Sequence, residues 1–148
     1  MIITYDICEG EFLSKIIEFE YLQMPPEDRT NILDGFLKRA IVSFNKVCKY
    51  DLSSFDDENR QFNENFVSED VEEIVDILSD GMIIQWLKPY LYRQELLESV
   101  LNTKDFTTYS TAELLLRIKE TYQQTQKAYV QKLREYSYNH GNLTELHL

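Results

Sequence analysis

The sequence predicts an all-α fold: a bundle of about four helices with a long acidic loop, a short extended segment and a protruding C-terminal tail. Three observations carry this expectation. The 148 residues are enough for one domain with a single core. Only four Gly and three Pro leave few sites for tight turns, favouring long helices over many short strands. Apolar residues also recur at spacings of three and four along most of the chain.

The first helix is expected from Thr4 to Tyr21. Thr4 can cap it, and Cys8, Phe12, Ile16 and Phe19 lie on one face. Gly10 weakens its first half, and Pro25 and Pro26 stop it and open the next helix. The second helix is expected from Asn31 to Tyr50, with Leu33, Phe36, Leu37, Ala40, Ile41, Phe44, Val47 and Cys48 as its apolar stripe. Lys46 and Lys49 then sit near its C-terminus, where the helix dipole favours cations.

Residues 51–67, "DLSSFDDENRQFNENFV", follow neither a helical nor a strand period and read as an acidic loop pinned by Phe55, Phe62 and Phe66. Ser68 is a good cap for a third helix whose first turns hold Glu69, Asp70, Glu72 and Glu73 at the positive end of the dipole. Its stripe is Val71, Ile74, Val75, Leu78, Met82, Trp86 and Tyr90, and Pro89 is expected to kink or end it near Lys88. A further helical piece covers Gln94 to Leu101, and residues 102–110 read as an extended connector.

Ser110-Thr111-Ala112-Glu113 is a capping box. The helix behind it runs over 111–137 with Leu115, Ile118, Tyr122, Tyr129, Leu133 and Tyr136 along one seam. Asn139, His140 and Gly141 end it, since Gly141 can take a left-handed turn. The expected division is a bundle over 1–137 and a docking tail over 138–148.

Net charge is −11. Residues 51–80 hold eleven acids and one base, Arg60, so a single segment carries nearly all of it. That pattern argues against nucleic-acid binding through phosphates, which needs clustered Lys and Arg. Asp56, Asp57, Glu58, Glu69, Asp70, Glu72, Glu73 and Asp76 are the candidate acidic surface. No apolar run nears the roughly 20 residues of a membrane span, so a soluble protein is expected. The opening "MIITYDICEGEF" lacks the basic start of a secretory signal. Cys8 and Cys48 have no metal-ligand spacing and read as buried thiols.

Chemistry is hard to find. "DDENRQFNENF" fails the calcium-loop pattern, with Phe62 where Gly is needed and Ser68 where Glu is needed. His140 and His147 lack further ligands for zinc. Glu72 and Asp76 share a helix face, but the sequence shows nothing to tune them as an acid–base pair. No nucleophile elbow, phosphate loop or H-E-x-x-H is present. No catalytic, cofactor or metal residues are assigned, and no enzyme is expected. "WLKPYLY" (86–92) suits either the core or a subunit interface.

Several segments resemble the head–tail connector adaptors of tailed bacteriophages: Phe44-Asn45-Lys46-Val47-Cys48, the acidic opening of the third helix, "WLKPYLY", "LNTKDFTTYS" before a capped helix, and "YSYNHGNLTEL". Such adaptors often carry Pro directly after the capping Ser, where this chain has Thr111. The resemblance implies a structural virion protein of the neck, forming a ring of twelve copies between the portal protein and a downstream neck or tail protein. It also implies a C-terminal segment passed onto the portal or a neighbouring copy, which would give Tyr136, Tyr138, Asn139, His140, Leu143, Leu146 and Leu148 a docking role. A negative wall would let DNA slide past without specific binding. The competing expectation is an acidic DNA mimic that occupies the groove of a nuclease or repressor.

Overall fold

The computed structural model describes residues 1–16, 29–93 and 111–140. Four helices and one two-stranded hairpin make up these residues, a mainly helical fold as expected. They are α1 (Tyr5–Lys15), α2 (Arg29–Phe44), β1 (Phe55–Asp56), β2 (Gln61–Phe62), α3 (Ser68–Tyr92) and α4 (Thr111–His140). The expected helical piece 94–101, the connector 102–110 and the tail beyond His140 lie outside the described residues.

α3 is the hub. It packs against α1, α2 and α4, while α1 also touches α2. Such a helix is apolar on more than one face, and Ile74, Ile77, Leu78, Met82, Ile83, Ile84, Trp86 and Leu87 are all buried. Gly81 marks the closest approach, because a methyl group there would stand 2.8 Å from the Ala40 Cβ of α2. Trp86 is core, 2% exposed, and meets the Phe12 ring edge-on at 5.9 Å. Tyr92, six residues on, is exposed.

Thr4 caps α1 as expected, its Oγ1 accepting the Ile7 N–H at 3.4 Å. Cys8, Phe12 and Ile16 are buried. α1 spans Tyr5–Lys15, and the expected continuation to Tyr21, with the Pro25–Pro26 stop, lies outside the described residues. α2 ends at Phe44 instead of Tyr50, because Asn45 turns its side chain to the Leu52 N–H at 2.8 Å and begins the turn. Lys46 and Lys49 therefore lie beyond the helix.

α3 departs from expectation at its start. Its cap position is Val67, which makes no side-chain capping bond; Ser68 is already helical. Pro89 does not end it, and the helix continues to Tyr92. One lost donor is outweighed here by Trp86 and Leu87, buried on the preceding turn.

The acidic stretch is more ordered than its lack of period suggested. Phe55 pairs with Phe62 and Asp56 with Gln61 in an antiparallel hairpin. The Asp56 carboxylate accepts the Glu58 and Asn59 N–H groups at 3.0 and 3.2 Å, which shapes the turn. The chain start lies alongside: Tyr5 N–H donates to the Arg60 carbonyl, Phe62 N–H to the Ile3 carbonyl and Phe66 N–H to the Met1 carbonyl. Phe62 and Phe66 are buried and Phe55 is half-buried, so the three aromatics do pin the segment.

In α4 the seam is Leu114, Ile118, Tyr129, Leu133 and Tyr136, all buried. Leu115 and Tyr122 are only half-buried at its margin, and Leu114 takes the place expected for Leu115. No helix among the described residues is long and apolar enough to cross a membrane.

Candidate functional site

The C-terminal end of α4 is fastened to the bundle. Tyr136 is 1% exposed and packs edge-on against Phe44 with ring centres 5.0 Å apart. Its hydroxyl accepts the Lys49 N–H at 3.3 Å and lies 3.5 Å from the Cys48 sulfur. Burial, with the neighbouring Cys48 thiol, pushes the phenol well above its ordinary pKa. One turn later the His140 ring lies 4.4 Å from that of Tyr136, and its Nε2 is 2.9 Å from a Glu73 carboxylate oxygen.

The residues expected to dock therefore divide. Tyr136 closes the core and has no surface to offer. His140 clamps α4 to the start of α3, whereas Tyr138 and Asn139 are exposed. The helix continues through His140, past the expected boundary at 137. Leu143, Leu146 and Leu148 lie outside the described residues.

The candidate acidic residues also divide, by whether their own chain supplies a cation. Asp70 is buried; it pairs with Lys49 at 2.7 Å and accepts the Tyr50 hydroxyl at 2.8 Å. The Lys49 bond, working against burial, holds its carboxyl below the ordinary value. Asp57 accepts the Tyr5 hydroxyl at 2.9 Å and pairs with Lys38 at 3.1 Å. Asp76 lies between Lys15 at 2.6 Å and Lys132 at 2.8 Å. Burial raises its pKa, but the two ammonium groups outweigh that and leave it lowered. Glu58, Glu69 and Glu72 are exposed and enter no ion pair among the described residues. Asp56 is spent on its turn.

Two clusters were not foreseen. In the first, Arg60 reaches Asp6 at 2.6 Å, Glu9 at 2.8 Å and Asp34 at 2.7 Å, joining the hairpin to α1 and α2. Arg60 adopts a left-handed backbone, φ 52°, to do so. That conformation costs a non-glycine residue about 1 kcal/mol or more. Glu9 is 5% exposed, and its second carboxylate oxygen finds no donor. Burial, and after it the Asp34 carboxylate, raise the Glu9 pKa above the usual range. A proton on that oxygen would let it donate to Asp34.

In the second cluster, Lys15 and Lys132 share Asp76 and Asp80 between α1, α3 and α4. Its residues lie on three helices far apart in sequence, and only the two acids share a motif-like spacing. Neither cluster supplies a nucleophile or a metal-ligand set; both join elements.

Compared with family models, curated proteins and solved structures, the chain matches none.

Proposed function

We propose that this chain is a structural connector of a tailed-phage virion, an adaptor without turnover that forms a ring below the portal protein. One observation carries the reading: α4 ends at a fixed point. With Tyr136 in the core and His140 against Glu73, whatever follows residue 140 leaves from a defined place on the bundle. Leu143, Leu146 and Leu148 then act as apolar anchors on the portal or an adjacent copy, and Tyr138, exposed on the last turns of α4, adds a further one. The other face of the ring meets a downstream neck or tail protein. The negative segment 51–80 faces passing DNA as a repulsive wall and binds none of it specifically.

The alternative, an acidic DNA mimic, draws less support. A mimic needs free carboxylates spread over a long surface, and Asp57, Asp70, Glu73 and Asp76 already face Lys38, Lys49, His140 and the Lys15–Lys132 pair.

The test is deletion of residues 141–148, cut after His140 so that its clamp survives. The unfolding midpoint should stay nearly unchanged and co-sedimentation with the portal protein should be lost. A shortened chain that still binds portal normally would remove the docking role. Binding of duplex DNA by the parent chain at physiological salt would remove the wall.

A further inference from the structure

A groove of about 700 Å³ opens between α1 and the first turns of α3. Met1, Ile7, Val71 and Val75 supply its apolar lining, and Ile7 is 45% exposed. Glu11 borders it from α1, and Glu69 and Glu72 border it from α3. These three carboxylates enter no ion pair among the described residues. The groove thus presents uncovered apolar surface between unneutralised negative edges.

The opposite chemistry lies on the outer face of α4. Lys127, Val130, Gln131 and Arg134 follow helical spacing and form one stripe. At 3.6 residues per turn the stripe faces away from the Tyr129–Leu133–Tyr136 seam that packs into the core. Lys127 and Arg134 are exposed and have no carboxylate partner among the described residues. Because this face points outward, it cannot reach the groove of its own chain.

The spacing also agrees. Lys127 and Arg134 are separated by roughly 10 Å of helix rise. The two edges of the groove stand on packed helices, whose axes are usually about 8–10 Å apart.

We propose that the groove of one copy receives the Lys127–Val130–Arg134 stripe of a second copy. Val130 covers Ile7 and Val71, while the two cations meet Glu11 on one side and Glu69 and Glu72 on the other. The two surfaces differ, so the contact is head-to-tail: repeated, it closes into a ring or extends as a filament. It supplies the subunit contact of the proposed ring and rests on that reading for its use, although not for its detection. Glu69 and Glu72 then face protein, leaving Glu58, exposed and unpaired among the described residues, to the DNA wall.

Charge exchange in the full chain tests this, read by sedimentation velocity from micromolar to millimolar concentration. The parent should associate at the upper end, less so as salt rises. Glu69→Lys with Glu72→Lys should abolish association, and so should Lys127→Glu with Arg134→Glu. Mixing the two variants, or combining all four substitutions in one chain, should restore it. Glu58→Lys with Glu64→Lys makes the same charge change away from the groove and should alter nothing; circular dichroism confirms that every variant is folded. A parent that stays monomeric at millimolar concentration overturns the proposal, as does failure of the mixture to reassociate. Equal loss in the Glu58/Glu64 control overturns it too. Portal co-sedimentation is scored separately. Self-association through these surfaces without portal binding would leave this contact standing and remove the connector reading, and the converse result would do the reverse.

Discussion

The two charge clusters tie the same kind of joint with opposite arithmetic. Around Lys15 and Lys132, two cations face two carboxylates, so every charge has a partner across α1, α3 and α4. Around Arg60, one cation faces Asp6, Glu9 and Asp34. The excess negative charge is concentrated where burial is deepest, at Glu9, and a bound proton relieves it. A balanced cluster holds over a wide pH range. An unbalanced one makes the junction of hairpin, α1 and α2 depend on proton concentration.

The largest expected effect breaks the unbalanced side. Arg60→Ala leaves Glu9 and Asp34 without their cation and should cost about 3 kcal/mol, the low end for unpairing a buried charge. Urea unfolding measures it. Amide exchange should locate the loss at Phe62 and Phe66, whose N–H groups hold the chain start. A cost no larger than that of a surface substitution would mean that the hairpin is held by its aromatics alone.

A smaller loss is expected on the balanced side. Lys132→Met keeps most of the aliphatic stem, and Lys15 still reaches both Asp76 and Asp80. The cost should be about 1.5 kcal/mol, that of one charged hydrogen-bond set. A loss equal to that of Arg60→Ala would erase the contrast between the clusters.

Packing at the α2–α3 crossing gives a reference independent of charge. Gly81→Ala gains up to about 1 kcal/mol of helix propensity. It also drives a methyl into Ala40, and overpacking costs about 1–3 kcal/mol. A net destabilisation of about 1 kcal/mol, unchanged by salt or pH, is expected in thermal unfolding.

The smallest effect at any one pH is the most specific. Glu9 has a raised pKa in the folded chain, so the folded state holds its proton where the unfolded state has released it. The resulting stability is complete below the unfolded value of 4.5 and is lost as pH rises through about 8. Glu9→Gln donates to Asp34 without titrating and should flatten stability across that window. Titration of unfolding free energy with pH tests the sign; a parent that gains stability from this group over that range would reverse the assignment.

How much was legible follows from the range of each interaction. The Thr4 cap, the α2 stripe and the α4 seam were readable because each depends on residues within four positions of one another. Leu114 displaced Leu115 from the seam because neighbouring residues point only about 100° apart, and the packing of α3 decides between them. The end of α2 was misjudged because Asn45 bonds forward to Leu52, and of the two outcomes expected at Pro89, a kink or an end, packing around Trp86 ruled out the end. Of the candidate site, the acid-rich segment was plain from composition. Which acids remain free was not: Lys15, Lys49 and Lys132 come from other elements, and Tyr136 left the docking set only when Phe44 and Cys48 were seen to enclose it.

The sequence by itself determined a mainly helical chain with its negative charge gathered in one segment, since helical period and composition are local and additive. Tertiary structure alone decided which charges are paired, that the acidic stretch forms a hairpin fastened by Arg60, and that an acidic groove and a basic stripe remain uncovered. The charge pairings depend on residues 19 to 67 positions apart meeting in space. No pattern along the chain encodes that meeting, because burial and Coulomb energy depend on separation in space, not in sequence.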